Sequence, residues 1–205
     1  MTQVVSGSSL TIVSRAEDPP VLDVASLRLA IAAGKTPTYR FFWGHRPGEH
    51  GRLTDACFSQ WWACRFELEG HAYTSAEHWM MACKARLFGD AATLEAILRS
   101  ASPSEAKALG RRVLGFDEAR WTAARFDLVT EGNVAKFGQN AKLGAYLADT
   151  ADAILVEASP TDLIWGIGLA AADPRALDPA AWPGLNLLGF ALVRARAILK
   201  STRSA

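Results

Sequence analysis

The sequence is poor in the residues and spacings that build metal and redox sites. Its three cysteines, Cys57, Cys64 and Cys83, form no C-x-x-C pair, and its four histidines show no H-E-x-x-H or H-x-H spacing. Zinc sites and catalytic dithiols depend on such spacings. No catalytic metal is therefore expected, and no other cofactor. The cysteines are typical of reduced thiols that fill a core.

Net charge, long apolar runs and phosphate-binding motifs are also scarce. The net charge is +1, so the chain has no general electrostatic attraction to nucleic acid or to a membrane. No apolar stretch approaches the roughly 20 residues that span a bilayer. The N-terminus lacks the pattern of a signal peptide, and no P-loop, G-x-G-x-x-G or G-x-S-x-G occurs. We therefore expect a cytoplasmic protein without membrane contact.

The chain has enough apolar material for one compact core, since half of its 205 residues are hydrophobic. Helical patterns outweigh strand patterns, which predicts a mainly α fold with a few short β-strands, in the α+β class. Residues 1–37 are interpreted as an N-terminal extension, with a loose arm or a short edge strand over residues 1–17 and one helix over residues 21–33. Residues 38–205 are interpreted as the main domain.

Within the main domain the pattern predicts short strands and several helices. Strands are expected at residues 39–44 and 153–157, and a hairpin at residues 65–73. Helices are expected at residues 73–86 after an initial turn, and at residues 90–99, 103–109, 117–133, 135–149 and 187–200.

The helix over residues 73–86 carries an acid near its start and a lysine two turns later. Glu77 and Lys84 are seven residues apart, which places them on one stripe of the helix, roughly 10 Å apart. They are too far apart for an i,i+4 ion pair, so a ligand can lie between them. From spacing alone a second interpretation is open, in which Thr74 and Glu77 form a capping box and Lys84 extends from a surface helix.

Aromatic residues are concentrated ahead of this helix. Residues 41–43 are three aromatics in a row, and Trp61 and Trp62 follow. Such residues usually build a core, but they also suit a wall on which a flat base stacks.

Four segments, in the order in which they occur along the chain, together form a sequence pattern that covers most of the main domain. They read FFWGH at 41–45; FSQWW at 58–62 with YTSAEH at 73–78; GNVAKF at 132–137; and LVEASP at 155–160 with IWGIG at 164–168 and GLNLLG at 184–189. Together they resemble the NADAR family of YbiA-like proteins, from about residue 39 to about residue 200. Where many members have Ser-Asn-Phe, this chain has Ser59-Gln60-Trp61.

The resemblance implies a compact YbiA-like domain with N-glycosidase activity. The family is associated with ADP-ribose on the guanine amino group and with reactive ribosylated intermediates of riboflavin synthesis. We expect hydrolysis of a ribosyl C–N bond, with ADP-ribosylated guanine in a nucleoside or nucleic acid as the first candidate substrate. A DNA ADP-ribosyltransferase toxin is then the expected functional partner. A non-enzymatic alternative is also open, namely a module that binds ADP-ribose or NAD without turnover.

The resemblance also implies catalytic residues. The family's acid corresponds to Glu77, its helix lysine to Lys84, and its Trp-Gly loop to Trp165 and the following glycine, with Asp162 just before. Glu77 would stabilise the ribosyl cation or activate water. Lys84 would form a Schiff base with C1, which requires its pKa to be lowered by burial or by a cation such as Arg86 or Arg111.

The remaining expected contacts are with the base, the ribose and the phosphates. Asn186 and Gln60 are expected to bind ribose hydroxyls, although Asn186 also suits the N-cap of the last helix. Arg111 is expected to meet a pyrophosphate or to be surface charge, and Lys136 also suits a solvated helix face. The ligand-binding candidates are Phe42, Trp43, Gly44, His45, Gln60, Trp61, Trp62, Arg111, Lys136, Gly166, Asn186 and Gly189.

Overall fold

The fold is that of a computed structural model, which describes residues 20–204. The loose arm or edge strand predicted for residues 1–17 lies outside the described residues. Seven α-helices and four short β-strands were identified in residues 20–204. They are α1 (Val24–Ala32), β1 (Tyr39–Phe42), β2 (Phe66–Leu68), β3 (His71–Tyr73), α2 (Ala76–Leu87), α3 (Ala91–Leu98), α4 (Pro103–Gly110), α5 (Glu118–Gln139), α6 (Ala141–Ala148), β4 (Ile154–Glu157) and α7 (Leu187–Ser204).

The prediction of a mainly α fold with a few short strands is confirmed. Five helices start where a serine or aspartate side chain accepts a hydrogen bond from the first turn, which satisfies an otherwise unpaired backbone N–H. These N-caps are Asp23, Ser75, Asp90, Ser102 and Asp117.

Helix α5 departs from the prediction of two helices that meet near residue 134. It runs unbroken to Gln139, and the chain turns only at Asn140. Gly132 does not end the helix, because it lies where α5 closely approaches Trp79 of α2. A Cβ atom there would lie 2.2 Å from Cδ1 of Trp79, so the glycine lets α5 pack directly against α2.

The strands form two small sheets. β1 and β4 pair in parallel, with Phe42 opposite Glu157 at the carboxyl end of both strands. β2 and β3 form the predicted hairpin. The hairpin turns at Glu69 and Gly70, which have φ angles of 50° and 75°, as the tight turns of hairpins require.

Strand β4 joins two hydrophobic clusters because its side chains alternate between its faces. Leu155 belongs to the larger cluster, with Trp79 and Phe137, whereas Val156 belongs to a second cluster with Leu27 of α1. Helix α1 therefore packs against later parts of the chain through this second cluster. None of the helices in residues 20–204 combines the length and apolar character needed to cross a membrane.

One buried ammonium group organises the loop between β1 and β2. Lys136, on α5, is 0% exposed. Its Nζ donates hydrogen bonds to the carbonyl oxygens of Cys57, at 2.7 Å, and Ser59, at 2.8 Å. Burial lowers the pKa of Lys136 to about 8. The alternative of a solvated helix face is therefore wrong, and the lysine anchors the segment that continues into Gln60.

We expect Lys136→Met to destabilise the protein by roughly 2–4 kcal/mol, because two buried carbonyls lose a charged donor. Urea unfolding measured at pH 7 provides the free energy. Lys142→Met is the matched control, since Lys142 is exposed on α6 and should change stability by no more than about 0.5 kcal/mol. Equal effects of the two substitutions would contradict the anchoring role.

Candidate active site

A cavity of about 250 Å³ opens between α2, α4 and the loop that follows β4. Acidic, basic and aromatic side chains share its wall, which is the mixture expected of a site for a charged ligand. The lining residues are Ser59, Gln60, Trp61, Glu77, Met80, Met81, Lys84, Lys107, Gly110, Arg111, Trp121, Glu157, Asp162, Trp165 and Leu188.

Glu77 is held at the base of the cavity by the start of α2. Its backbone N–H donates to the carbonyl of Gln60 at 2.8 Å, and the helix is capped by Ser75. The capping-box interpretation with Thr74 is therefore wrong. The side chain of Glu77 is 2% exposed, and its Oε1 has no hydrogen-bond partner among the described residues.

Burial controls the titration of Glu77. It raises the pKa of the carboxyl to about 7, against the opposing effect of the charge on Lys107. The carboxyl therefore changes its charge near neutral pH, as a general acid or base does.

Lys84 enters the same cavity two turns along α2. Its Nζ lies 4.1 Å from the ring centre of Phe116 and 5.9 Å from that of Trp121. Burial lowers the pKa of Lys84, as its predicted nucleophilic role requires. Arg86 is not the cause, because its guanidinium faces away to Glu69, at 3.4 Å, and to the hydroxyl of Tyr73.

The loop after β4 brings Asp162 and Trp165 to the cavity. Asp162 Oδ1 accepts hydrogen bonds from the backbone N–H groups of Ile164, at 2.9 Å, and Trp165, at 2.7 Å. This turn sets the path of the loop, and Trp165 forms part of the wall. The two residues therefore share one local structure, in which the aspartate orients the backbone of the tryptophan.

Gln60 and Trp61 line the opposite wall, after the segment that Lys136 anchors. The side chain of Gln60 is engaged inside the protein, since its Oε1 accepts from Asn133 at 3.0 Å. Trp61 lies at the rim, with its ring 5.5 Å from Nζ of Lys107 and from the ring of His45. Arg111 also lines the cavity, one helical turn from Lys107 on α4.

Several predicted ligand contacts lie outside the cavity and have structural partners. The side chain of Asn186 donates to the carbonyl of Leu155 at 2.9 Å and accepts from the N–H of Glu157 at 3.0 Å. Gly166 and Gly189 allow close packing, because a Cβ atom would lie 2.8 Å from the carbonyl of Glu157 and 2.0 Å from that of Leu155, respectively. Asn186 lies at the start of α7 in a left-handed conformation, with φ 52°.

The FFWGH segment is divided between core and surface. Phe42 is buried against Phe58, and Trp43 is 66% exposed. Gly44 is exposed at a positive φ angle of 78°. Of the segment, His45 contacts the rim through its approach to Trp61. The neighbouring Trp62 and the anchoring Lys136 are likewise not among the lining residues.

Sequence reasoning missed Glu157, Lys107 and Trp121 as lining residues. A signal for Glu157 was available, because it is a charged residue at the end of an apolar strand, inside a segment already noted for its pattern. For Lys107 and Trp121 the sequence offers no local signal. Within residues 20–204, no group of three or more His, Cys, Asp or Glu side chains could hold a metal ion.

Comparison with known proteins identifies the family to which this chain belongs. The NADAR domain model matches residues 41–200. The chain belongs to the NADAR family. It is 42% identical over 167 residues to the N-glycosidase R617 of Acanthamoeba polyphaga mimivirus, an alignment that covers 79% of this chain and 96% of that protein.

Bacterial NADAR proteins and a solved structure are similar as well. The N-glycosidase YbiA of Escherichia coli K12 is 31% identical over 139 residues, which cover 68% of this chain and 78% of YbiA. The NMR structure of E. coli YbiA superposes with a TM-score of 0.66 at 27% identity, and covers 83% of this chain and 89% of that structure. The predicted YbiA-like fold is thereby confirmed.

We expect Glu77→Gln to stabilise this NADAR protein at pH 8 by about 1–3 kcal/mol, and to change its stability little at pH 4.5. The unfolded carboxyl loses its proton near its ordinary pKa of 4.5, whereas the folded one does so near 7. Stability attributable to the protonated form is therefore lost as the pH rises from about 4.5 to above 7, and glutamine avoids that loss. Denaturant unfolding at the two pH values tests this; a less stable variant at pH 8 would indicate a structural carboxylate.

Proposed function

We propose that this protein is an N-glycosidase that hydrolyses a ribosyl C–N bond, with ADP-ribosylated guanine as its main substrate class. The observation that carries the proposal is the meeting of Glu77 and Lys84 in one cavity, each shielded enough to have a shifted pKa. Relatives that bear the name N-glycosidase cover most of the chain and support it.

Glu77 suits the chemistry of C–N cleavage. As the bond breaks, positive charge develops on the ribose, and a carboxylate near C1 stabilises that charge or activates water. With a pKa of about 7, a substantial fraction of Glu77 is ionised at neutral pH. The unpartnered Oε1 leaves an acceptor free for a substrate hydroxyl or for water.

Lys84 offers a second, covalent route. When the ribose ring opens, C1 becomes an electrophilic carbon that a neutral amine attacks to form a Schiff base, and water later releases the sugar. The lowered pKa of Lys84 increases the neutral fraction of the amine. The flanking ring of Phe116 favours the ammonium form instead, so the free protein holds the lysine between the two states.

The volume and charge of the cavity suggest which parts of the substrate lie inside it and which lie at its rim. At about 250 Å³, the cavity is below the range of roughly 300–1,000 Å³ typical of sites that enclose a drug-sized ligand. It therefore suits the ribose and the bond that breaks, with the rest of ADP-ribose at the rim. There Lys107 and Arg111 provide cations for phosphate oxygens, and Trp61 provides a stacking surface.

The small volume also favours a second candidate within the same chemistry. A ribosylated intermediate of riboflavin synthesis is smaller than an ADP-ribosylated nucleoside and would fill the cavity more completely. A module that binds ADP-ribose without turnover is disfavoured, because such a module does not need a shielded carboxyl that ionises near pH 7. A DNA ADP-ribosyltransferase toxin as functional partner, and a cytoplasmic location, stay predictions of this proposal.

The substrate class is tested by incubating the protein with ADP-ribosylated guanosine and, separately, with a ribosylated riboflavin-pathway intermediate. Mass spectrometry follows release of ADP-ribose or of the ribosyl phosphate. We expect release from ADP-ribosylated guanosine, and a loss of at least about 100-fold in Glu77→Gln. Turnover of the pathway intermediate alone would select the second candidate, and binding without release would select the non-catalytic module.

We expect Lys84→Arg to be nearly as damaging as Lys84→Ala, because a guanidinium stays protonated and forms no Schiff base. Borohydride added during turnover should leave a reduced ribosyl adduct on Lys84, which peptide mass spectrometry locates. Lys142→Arg, an exposed lysine on α6, is the control and should retain full turnover. Activity preserved in Lys84→Arg would exclude the covalent route.

A further inference from the structure

Glu157 occupies a position that the backbone defines from both sides. It is the last residue of β4, opposite Phe42 of β1. Its N–H donates to Oδ1 of Asn186 at 3.0 Å, and its carbonyl accepts from the N–H of Ile167 at 2.9 Å. Both main-chain groups of Glu157 therefore have hydrogen-bond partners, and its side chain is not needed to hold the strand end in place.

The packing around this residue tolerates little movement. Asn186 is 0% exposed and bridges two residues of β4. Gly166 and Gly189 leave no room for a Cβ atom against the carbonyls of Glu157 and Leu155. The loop after β4 and the start of α7 therefore converge on the strand end, so that they fix the direction in which the side chain of Glu157 leaves it.

That side chain lines the same cavity as Glu77. Its Oε2 is shielded and has no hydrogen-bond partner among the described residues, as is also true of Oε1 of Glu77. The charged groups that act on Glu157 are Asp162 on the following loop, Glu77 on α2 and Lys107 on α4.

The titration of Glu157 is consistent with this surrounding. Burial raises the pKa of Glu157 to about 8, helped by the charges of Asp162 and Glu77 and opposed by Lys107. At neutral pH Glu157 is therefore the more readily protonated of the two carboxyls, and Glu77 the more readily ionised. Two carboxyls with different protonation in one cavity form the arrangement that acid–base cleavage of a glycosidic bond uses.

We propose that Glu157 is a second catalytic carboxyl, which donates its proton to the nitrogen of the departing base while Glu77 activates the attacking water. This inference rests on the N-glycosidase function proposed above. The C1–N bond breaks, its electron pair stays on the nitrogen, and that nitrogen takes the proton of Glu157. A C1–O bond then forms with water, whose proton passes to Glu77. Water attacks either the ribosyl cation or the Schiff base that Lys84 forms with C1, and in the second case hydrolysis returns the amine of Lys84. Proton exchange with solvent restores both carboxyls.

A purely structural role does not account for the side chain. The backbone of Glu157 already makes the contacts that position β4, and an apolar residue would fill the space without a desolvated carboxyl. A buried polar atom without a hydrogen-bond partner destabilises the folded protein. Burial of this carboxyl is unfavourable in the free protein. Donation of its proton to the leaving base would explain why a carboxyl is present at this position.

The test measures kcat/KM from pH 5 to pH 9.5 on ADP-ribosylated guanosine for the wild type, Glu157→Gln and Glu77→Gln. Glu131→Gln is the control, because partial desolvation also raises the pKa of Glu131, but this residue is exposed on α5 and lies outside the cavity lining. We expect the wild-type rate to fall above a pH of about 8, where Glu157 loses its proton. Glu157→Gln should be at least about 100-fold slower and should lack that alkaline fall.

Further outcomes separate this role from a loss of structure. Glu77→Gln should keep the alkaline fall and lose the acidic one, and Glu131→Gln should match the wild type. Glu157→Asp, which keeps an acid, should recover part of the rate and the alkaline fall. A slow Glu157→Gln variant with an unchanged pH profile, or one within threefold of the wild-type rate, would overturn the role of Glu157. A wild type that releases no base from any ribosylated substrate would overturn the N-glycosidase function itself.

Discussion

The candidate site depends on the buried ammonium of Lys136. By donating to the carbonyls of Cys57 and Ser59, it holds the segment whose next carbonyl, that of Gln60, receives the N–H of Glu77. A lysine in the core of α5 thus determines where α2 begins relative to the cavity. The desolvation of this cation is offset by two short hydrogen bonds, and the same contacts place Trp61 at the rim.

The opposite wall is built by close packing. Asn186 takes the place of a neighbouring strand for β4, and glycines at positions 166 and 189 allow main chains to approach within distances that any side chain would prevent. Residues that suggested ribose and phosphate contacts in the sequence instead support the strand end and the Trp165 loop. Their contacts position Glu157 and Trp165.

Between these walls, the electrostatics of the cavity oppose the stability of the free protein. Burial raises the pKa values of Glu77 and Glu157, the charge of Asp162 adds to the effect for both, and the charge of Glu77 adds to it for Glu157. Lys107 on α4 opposes it for both carboxyls. Oε1 of Glu77 and Oε2 of Glu157 have no hydrogen-bond partner among the described residues, so the cavity is unfavourable for stability until a ligand supplies partners. Shifted pKa values of this kind cluster at functional sites.

The sequence by itself determined the fold class, the hairpin, most helix limits and the Glu77–Lys84 pair, because periodicity, caps and turn residues are local signals. It could not locate the end of α5, since Gly132 looks like a break until its contact with Trp79 is known. Only the tertiary structure decided that Lys136 is an anchor, that Asn186 supports a strand, and that Glu157 and Lys107 join Glu77. Their partners lie tens of residues away along the chain, and burial, which shifts their pKa values, arises only when those distant segments pack together.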